Sequence, residues 1–191
     1  KLKHRDVLIF RDEGKPHLDS QNVIFWDDRL GKYVAYFRLK LRERGSPMRV
    51  VARAESPDFA HFPTVDDCPV VMRADTRHPG HYGPQKKVLI SILDTYTNGT
   101  IKYAWADDAY FMFPTEYYHY GPYNGEFREG SPVNAGSLDA RFAASRDGIQ
   151  WKRYDYRAFV GLGMKGEFDS RRIYMGYGIV PATNERELYM Y

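Results

Sequence analysis

The chain has 191 residues, of which 43% are apolar, 28% charged and 16% aromatic, and its formal net charge is +3 at pH 7. This composition is ordinary for one globular domain with a single core and excludes a predominantly disordered chain. Basic and acidic residues are interspersed, and no apolar run reaches the roughly 18 residues of a membrane-spanning helix, so neither nucleic acid nor a membrane is an expected partner.

A single cysteine, Cys68, excludes an internal disulfide and any metal site built from several cysteines. His78 and His81 lie three residues apart in a predicted loop, but no third ligand follows at a metal-binding spacing. We therefore predict neither a metal nor another cofactor. Because the sequence begins at Lys1, without Met or a signal peptide, we expect a trimmed, mature or partial chain, and localisation is not read from it.

Short runs with a period of two residues recur along the chain and helical periodicity is nearly absent, which predicts an all-β fold. The predicted strands cover residues 7–10, 22–27, 33–39, 49–54, 88–93, 110–113, 141–145, 173–180 and 187–191. The polar run DDRLGK at 27–32 predicts a hairpin, and Asp147 followed by Gly148 is a second turn signal. Two Gly- and Pro-rich connections, 75–85 and 119–136, are long enough that we expect ligand contacts there.

The run RRIYMGYGIVP at 171–181 alternates large apolar residues with glycines. Its large side chains (Ile173, Met175, Tyr177 and Ile179) would share one face of a strand. Gly176 and Gly178 would lie on the other face. We interpret this pattern as a strand buried on both sides, where glycine lets a neighbouring sheet approach closely.

Two kinds of repeat divide the chain. Asp19, Asp94 and Asp169 lie at intervals of 75 residues, each at the head of an apolar run. A second phrase recurs as ARAESPDFAHF at 52–62 and FAASRDGIQWKR at 142–153. A unit of about 60 to 75 residues fits one four-stranded propeller blade, so the chain would hold about two and a half blades, fewer than the four that close a ring.

Four strings carry a family resemblance: DSQNVIFWDDRLGKYVAYFR, TNGTIKYAWADDAYFMFPTEYYHY, FAASRDGIQWKR and GEFDSRRIYMGYGIV. They resemble bacterial proteins related to glycoside hydrolase families 32 and 43. The resemblance implies a five-bladed β-propeller, of which residues 1–191 would form a single partial domain of two and a half to three blades, and a secreted or periplasmic protein. The family 32 signatures Asn-Asp-Pro-Asn-Gly, Arg-Asp-Pro and Glu-Cys are not in the chain, which leaves the catalytic assignment open.

Glycoside hydrolysis needs two carboxyl groups that flank the scissile bond, one protonated and one ionised. In the resembling families, the innermost strand of each blade places an acid at the central cavity, which is where Asp19, Asp94 and Asp169 would lie. We predict Asp19 as base or nucleophile and Glu116, in FPTEYYHY, as general acid. Asp169 or Asp94 would position and tune that pair, and family 43 suggests inversion.

Each of these acids has an alternative interpretation. Asp-Ser before a strand is also a turn device in which the carboxylate binds backbone amides. Glu116 would equally fit a surface glutamate in a turn after Pro114. Asp139 and Glu167 are weaker alternates.

Substrate binding calls for aromatic rings that stack on sugars and for arginines, whose planar fork matches a carboxylate. The candidates are Asn22, Trp26, Arg38, Tyr96, Asn98, Trp105, Tyr118, His119 and Arg171. The alternatives are that about half of the rings belong to the core and that the arginines form structural ion pairs.

Three classes of function remain open at this stage. The first is a glycosidase acting on an oligo- or polysaccharide, and the second is a non-catalytic sugar-binding propeller. The third is a structural or assembly protein that pairs with another chain through open blade edges. Three carboxyls that converge in one cavity would favour the enzyme.

Overall fold

The computed structural model describes residues 18–19, 21–43, 46–74, 93–119, 136–155, 157–184 and 186–191. They form the strands β1 Val23–Asp27, β2 Lys32–Glu43, β3 Ser46–Ser56, β4 Val70–Met72, β5 Leu93–Thr97, β6 Ile101–Lys102, β7 Tyr110–Met112, β8 Thr115–His119, β9 Gly136–Ala140, β10 Ala143–Ser145, β11 Val180–Pro181 and β12 Leu188–Tyr189, with one 3-10 turn at Val65–Asp67. The predicted strand at 7–10, most of the one at 88–93, the loop at 75–85 with His78 and His81, and most of the 119–136 connection lie outside the described residues. No helix in the described ranges is long and apolar enough to cross a membrane.

The first sheet is an antiparallel meander in the order β1-β2-β3-β4. The predicted hairpin is confirmed, because β1 pairs with β2 from Val23 opposite Tyr36 to Asp27 opposite Lys32. Gly31 takes a φ of +61° in its turn, a conformation that glycine adopts without steric cost. This four-stranded sheet has the strand order of a propeller blade.

The second group of strands forms one sheet that is broken across its middle. The sheet orders β5-β8-β9 and β6-β7-β10 are two halves of the same three long strands. Pro114 interrupts the central strand because it has no N–H to donate, and Gly99 bends the first strand at a φ of +51°. Isolated bridges from Ala140 to Val160 and from Ala144 to Lys152 bring the segment 152–160 alongside as a fourth, irregular strand.

Apolar clusters alternate with these two sheets. One face of β2 and β3 packs around Phe37 and Val50, and the other face carries Tyr36 and Val51 toward Met112 and Ala143 of the second sheet. A third cluster covers the far face of the second sheet and includes Phe113, Ala140 and Met175. The fold is therefore all-β, as predicted, with antiparallel sheets stacked face to face in the manner of partial propeller blades, and its described residues do not close into a ring.

The repeated phrase marks the same turn in both sheets. After β3, the Ser56 hydroxyl accepts from the N–H of Asp58, whose carboxylate accepts from two following N–H groups. After β10, Ser145 and Asp147 repeat this arrangement, with Asp147 Oδ1 accepting from the N–H groups of residues 149 and 150 at 2.8 and 2.7 Å. The repeat seen in the sequence is thus a structural repeat between the two sheets.

The predicted strand at 173–180 is wrong for residues 173–179, which belong to no strand. Their backbone bonds go singly to scattered partners instead of to one ladder, for example from Ile173 N–H to Leu138 O and from Gly176 N–H to Tyr191 O. The predicted faces also fail, since Tyr177 is 58% exposed. Gly178 serves its positive φ of +104° rather than close packing, whereas at Gly176 an added Cβ would lie 2.8 Å from Tyr191 O.

Candidate functional site

Asp19 lies just before β1, at the start of the first sheet's inner edge. Its carboxylate forms an ion pair with Arg38 of β2, and its side chain is 47% exposed. Asn22 braces the same segment, because its side-chain N–H donates to Asp19 O at 2.5 Å and its side-chain oxygen accepts from Arg38 N–H at 3.2 Å. Asp19 therefore presents a fixed, partly solvated carboxylate.

Asp94 is the second residue of β5 and occupies the matching place in the second sheet. Its carboxylate accepts from Arg49 Nη1 at 2.5 Å and from Arg49 N–H at 3.0 Å, and its side chain is buried. The two sheets meet here, since Arg49 belongs to β3 of the first sheet. Both oxygens of Asp94 are thus engaged by the neighbouring blade.

A set of tyrosine rings joins these two ion pairs. The guanidinium of Arg38 lies 5.8 Å from the centre of the Tyr96 ring, and that of Arg49 lies 5.1 Å from it. Tyr117 meets Tyr96 edge-on at 5.9 Å, and Tyr174 lies 6.2 Å from Tyr96 on another side.

Together these residues make the aromatic–arginine cluster, which we define as Asp19, Arg38, Lys40, Arg49, Asp94, Tyr96, Tyr117 and Tyr174.

The electrostatics of this cluster are those of a crowded basic site. Burial lowers the pKa of Lys40, and the nearby Arg38 and Arg49 lower it further, against the opposing effect of Asp19 and Asp94. Burial likewise raises the pKa of Tyr174, with a further contribution from Tyr96. Three cationic side chains face two carboxylates, which leaves excess positive charge for a ligand.

Glu116 lies in a different environment from the one predicted. It is a buried residue within β8 rather than a loop residue, and Arg153 Nη2 lies 3.0 Å from Glu116 Oε1 without a directed N–H. Arg141 Nε lies 3.7 Å from Glu116 Oε2 and donates to Asp139 Oδ1 at 2.8 Å. Arg141 also donates to the Tyr118 hydroxyl. These residues form a buried polar network on the opposite face of β8 from Tyr117.

Asp169 is placed in the irregular segment after the second sheet and not at the head of an inner strand. An added Cβ at Gly163 would collide with the Asp169 carboxylate, so these two residues pack together. Arg171 contributes its backbone oxygen to Leu138 N–H at 3.0 Å. The third interval of 75 residues therefore has no structural equivalent of Asp19 and Asp94.

The remaining predicted binding residues are dispersed. The buried side chain of Asn98 donates to Gln21 O at 2.9 Å and so joins the two sheets. Trp26 and Trp105 are exposed at the opposite end of the inner strands from Asp19. Tyr118 belongs to the network around Glu116, the side chain of His119 lies outside the described residues, and no group of three His, Cys, Asp or Glu side chains in the described ranges is arranged to hold a metal.

Sequence reasoning missed three members of the cluster: Lys40, Arg49 and Tyr174. A usable signal was present, since Arg38 and Lys40 alternate with leucines along β2 and so mark one polar face of an otherwise apolar strand. In the observed register Lys40 stands opposite Arg49. Like charges placed directly across a strand pair are unfavourable without acidic neighbours, which Asp19 and Asp94 supply.

Comparison with known proteins gives two solved structures. The first, a complex of BT0996 and RGII, is 17% identical with a TM-score of 0.52 over 84% of this chain and 38% of that one. The second, a glycoside hydrolase, is 15% identical with a TM-score of 0.52 over 89% of this chain and 44% of that one. The chain thus spans less than half the length of either structure, and at these identities the likeness concerns the fold alone. No protein-family model and no curated protein matches the sequence.

Proposed function

We propose that this chain is part of a carbohydrate-active five-bladed propeller that binds its saccharide at the aromatic–arginine cluster and hydrolyses a glycosidic bond there. The observation that carries the proposal is the convergence of the half-exposed Asp19 with two arginines and the ring of Tyr96 where the inner strands of two sheets begin. The two similar structures support the ligand class, because one is a complex with the RGII polysaccharide and the other is a glycoside hydrolase.

The charge of the cluster favours an acidic sugar. Arg38, Lys40 and Arg49 outnumber Asp19 and Asp94, and an arginine fork binds a carboxylate with two parallel hydrogen bonds. Tyrosine rings supply the apolar faces on which a sugar ring stacks. A uronic acid residue combines both features.

Within this proposal Asp19 is the base or nucleophile. Its carboxylate is partly solvated and is fixed by Arg38 and Asn22, as a group that activates water or attacks an anomeric carbon must be. Asp94 is a positioning residue that acts through Arg49. We leave Glu116 out of the proposed site, because it lies buried among arginines on the far face of β8.

Non-catalytic sugar binding is the second candidate function. It is favoured by the burial of Asp94 and Glu116, since both carboxylates lie against arginines instead of facing a cavity. In that case the cluster would bind the same acidic sugars without turnover.

The experiment combines calorimetric binding with chromatographic detection of products, using RGII fragments and oligogalacturonates. Asp19→Asn keeps the shape of the side chain and removes its charge. We expect turnover to fall by roughly two to four orders of magnitude while the fold is retained. Asp108→Asn is the matched control, because Asp108 is also an exposed aspartate paired with an arginine, 3.0 Å from Arg146, and lies outside the cluster.

A companion variant tests the binding site itself. Tyr174→Ala removes an exposed ring of the cluster and should weaken binding about tenfold. Tyr154→Ala removes a similarly exposed ring beside Lys152 and should leave binding unchanged. Normal turnover in Asp19→Asn would remove Asp19 from the mechanism, whereas binding without turnover in the wild-type chain would favour the second candidate. Absence of binding to every acidic probe would overturn the proposal.

A further inference from the structure

A separate cavity of about 280 Å³ opens at the other end of the inner strands. Its lining includes Trp26, Asp28, Lys102, Tyr103, Asp107 and Tyr177. Trp26 follows Asn22 by four residues along β1, which at about 3.3 Å per residue places it about 13 Å along the strand from the aromatic–arginine cluster. The cavity is somewhat smaller than the roughly 300–1,000 Å³ of drug-sized ligand sites, so it suits a single sugar ring.

Aromatic rings form the apolar part of its wall. Trp26 is 50% exposed, yet its ring is braced edge-on by Tyr33 at 5.0 Å. Tyr103 is held between Phe111 at 4.9 Å and Trp105 at 5.1 Å. Exposed rings whose orientation is already fixed lose little conformational entropy when a ligand stacks on them.

The polar part of the wall is acidic overall. Lys102 forms an ion pair with Asp28, and its Nζ also lies 3.5 Å from the buried Asp27. The positive charge of Lys102 is therefore already balanced, while Asp107 adds a further carboxylate to the lining. Carboxylates accept hydrogen bonds from sugar hydroxyls but repel a uronate.

We propose that this cavity is a second carbohydrate-binding site that takes a neutral sugar residue. The inference rests on the proposed function for the ligand class, but it uses none of the residues of the aromatic–arginine cluster. A saccharide carrying acidic and neutral residues would thus meet two sites of opposite charge preference at the two ends of the inner strands.

The test measures binding of arabinotriose and galactotriose as neutral probes and of trigalacturonic acid as the acidic probe, by saturation-transfer NMR and titration. Trp26→Ala should weaken neutral-probe binding about tenfold and leave the acidic probe unaffected. Phe59→Ala is the matched control, because Phe59 is 47% exposed and contacts the same Tyr33 at 5.4 Å but does not line the cavity. Asp107→Asn, on the exposed rim, gives a second variant that does not disturb packing.

The outcomes separate the two proposals. Loss of neutral-probe binding in Trp26→Ala, together with normal binding in Tyr174→Ala, supports the second site. If Tyr174→Ala weakens both classes of probe and Trp26→Ala weakens neither, there is one site, and the second is overturned while the proposed function stands. Failure of both neutral probes to bind at millimolar concentration also overturns the second site.

Discussion

An arginine from the first sheet meets each of the two aspartates that lead the inner strands. Asp19 pairs with Arg38 and Asp94 pairs with Arg49. The two pairs differ in burial, and that difference separates their roles. Asp19 retains access to solvent and can react with a ligand, whereas the buried Asp94 ties the start of β5 to β3. A buried carboxylate is tolerated only with such a partner.

Arg49→Met should therefore cost about 3–5 kcal/mol in the free energy of unfolding, because it takes the arginine away from a buried carboxylate. Urea denaturation checks the value. Adding Asp94→Asn should restore most of the loss, since the amide carries no charge. An equal loss in the single and double variants would mean that the contribution of Arg49 is its packing on Tyr96 and Tyr117.

Tyr110 donates its hydroxyl to the buried Asp27 at 2.5 Å. Burial and then this bond raise the pKa of Tyr110 from 10.0 to about 12. A pKa raised by folding contributes stability that is complete below pH 10 and is lost as the pH rises toward 12. Tyr110→Phe should accordingly be less stable than the wild type at pH 8, with a difference that shrinks above pH 10 in denaturant titrations. A pH-independent difference would exclude the Asp27 bond as its origin.

At the scale of elements, the turn after β10 is what the second sheet inserts into the first. The Tyr36 hydroxyl donates to Gly148 O at 2.7 Å, and Arg29 reaches the backbone oxygen of Arg146 at 3.2 Å. The carboxylate of Asp147 shapes this turn from within. A local signal in the sequence, Asp147 followed by Gly148, thus has a long-range purpose.

Gly148→Ala should destabilise the protein more than Gly31→Ala. Both glycines have positive φ, so each alanine carries roughly 1–2 kcal/mol of backbone strain. At Gly148 the new Cβ would also lie 2.6 Å from the Tyr36 hydroxyl, while at Gly31 it would meet nothing within 4 Å. Thermal unfolding of the two variants gives the comparison. Equal losses would show that Tyr36 shifts aside at no cost.

At the scale of the whole molecule, the sheets are held together by side chains that point out of both of their faces. Val34, Tyr36 and Val51 of the first sheet share one buried cluster with Met112 and Ala143 of the second. Burial of this kind on both faces is typical of blades stacked around an axis. We expect the two sheets to unfold as one cooperative unit.

Met112→Ala should cost about 2–5 kcal/mol, because it opens a cavity between the sheets. Met164→Ala, at a position 82% exposed, should change stability by less than about 0.5 kcal/mol. Fluorescence of Trp151, which packs on Tyr36, and far-ultraviolet circular dichroism should report the same transition. Separate transitions would show that the sheets are independent.

Local pattern and turn chemistry were sufficient to predict much of the fold. The alternation in β1 and β2 and the polar turn between them specify the hairpin, because the side-chain period of a strand is set by its backbone. The repeated Ser-x-Asp phrase specifies its turn through bonds that span only a few residues. The segment at 173–179 was mispredicted for the converse reason, since a period of two also arises where a chain packs on one side without a partner strand.

The sequence by itself therefore determined the all-β class, the first hairpin and the repeated turn, which depend on neighbours in the chain. Only the tertiary structure decided that Asp19 and Asp94 share a cluster with Arg49 and Tyr96, that Glu116 is buried among arginines, and that Trp26 lies at a separate cavity. Those relations join residues tens of positions apart. They depend on how one sheet stacks on another, and the local spacing of residue types carries no record of that stacking.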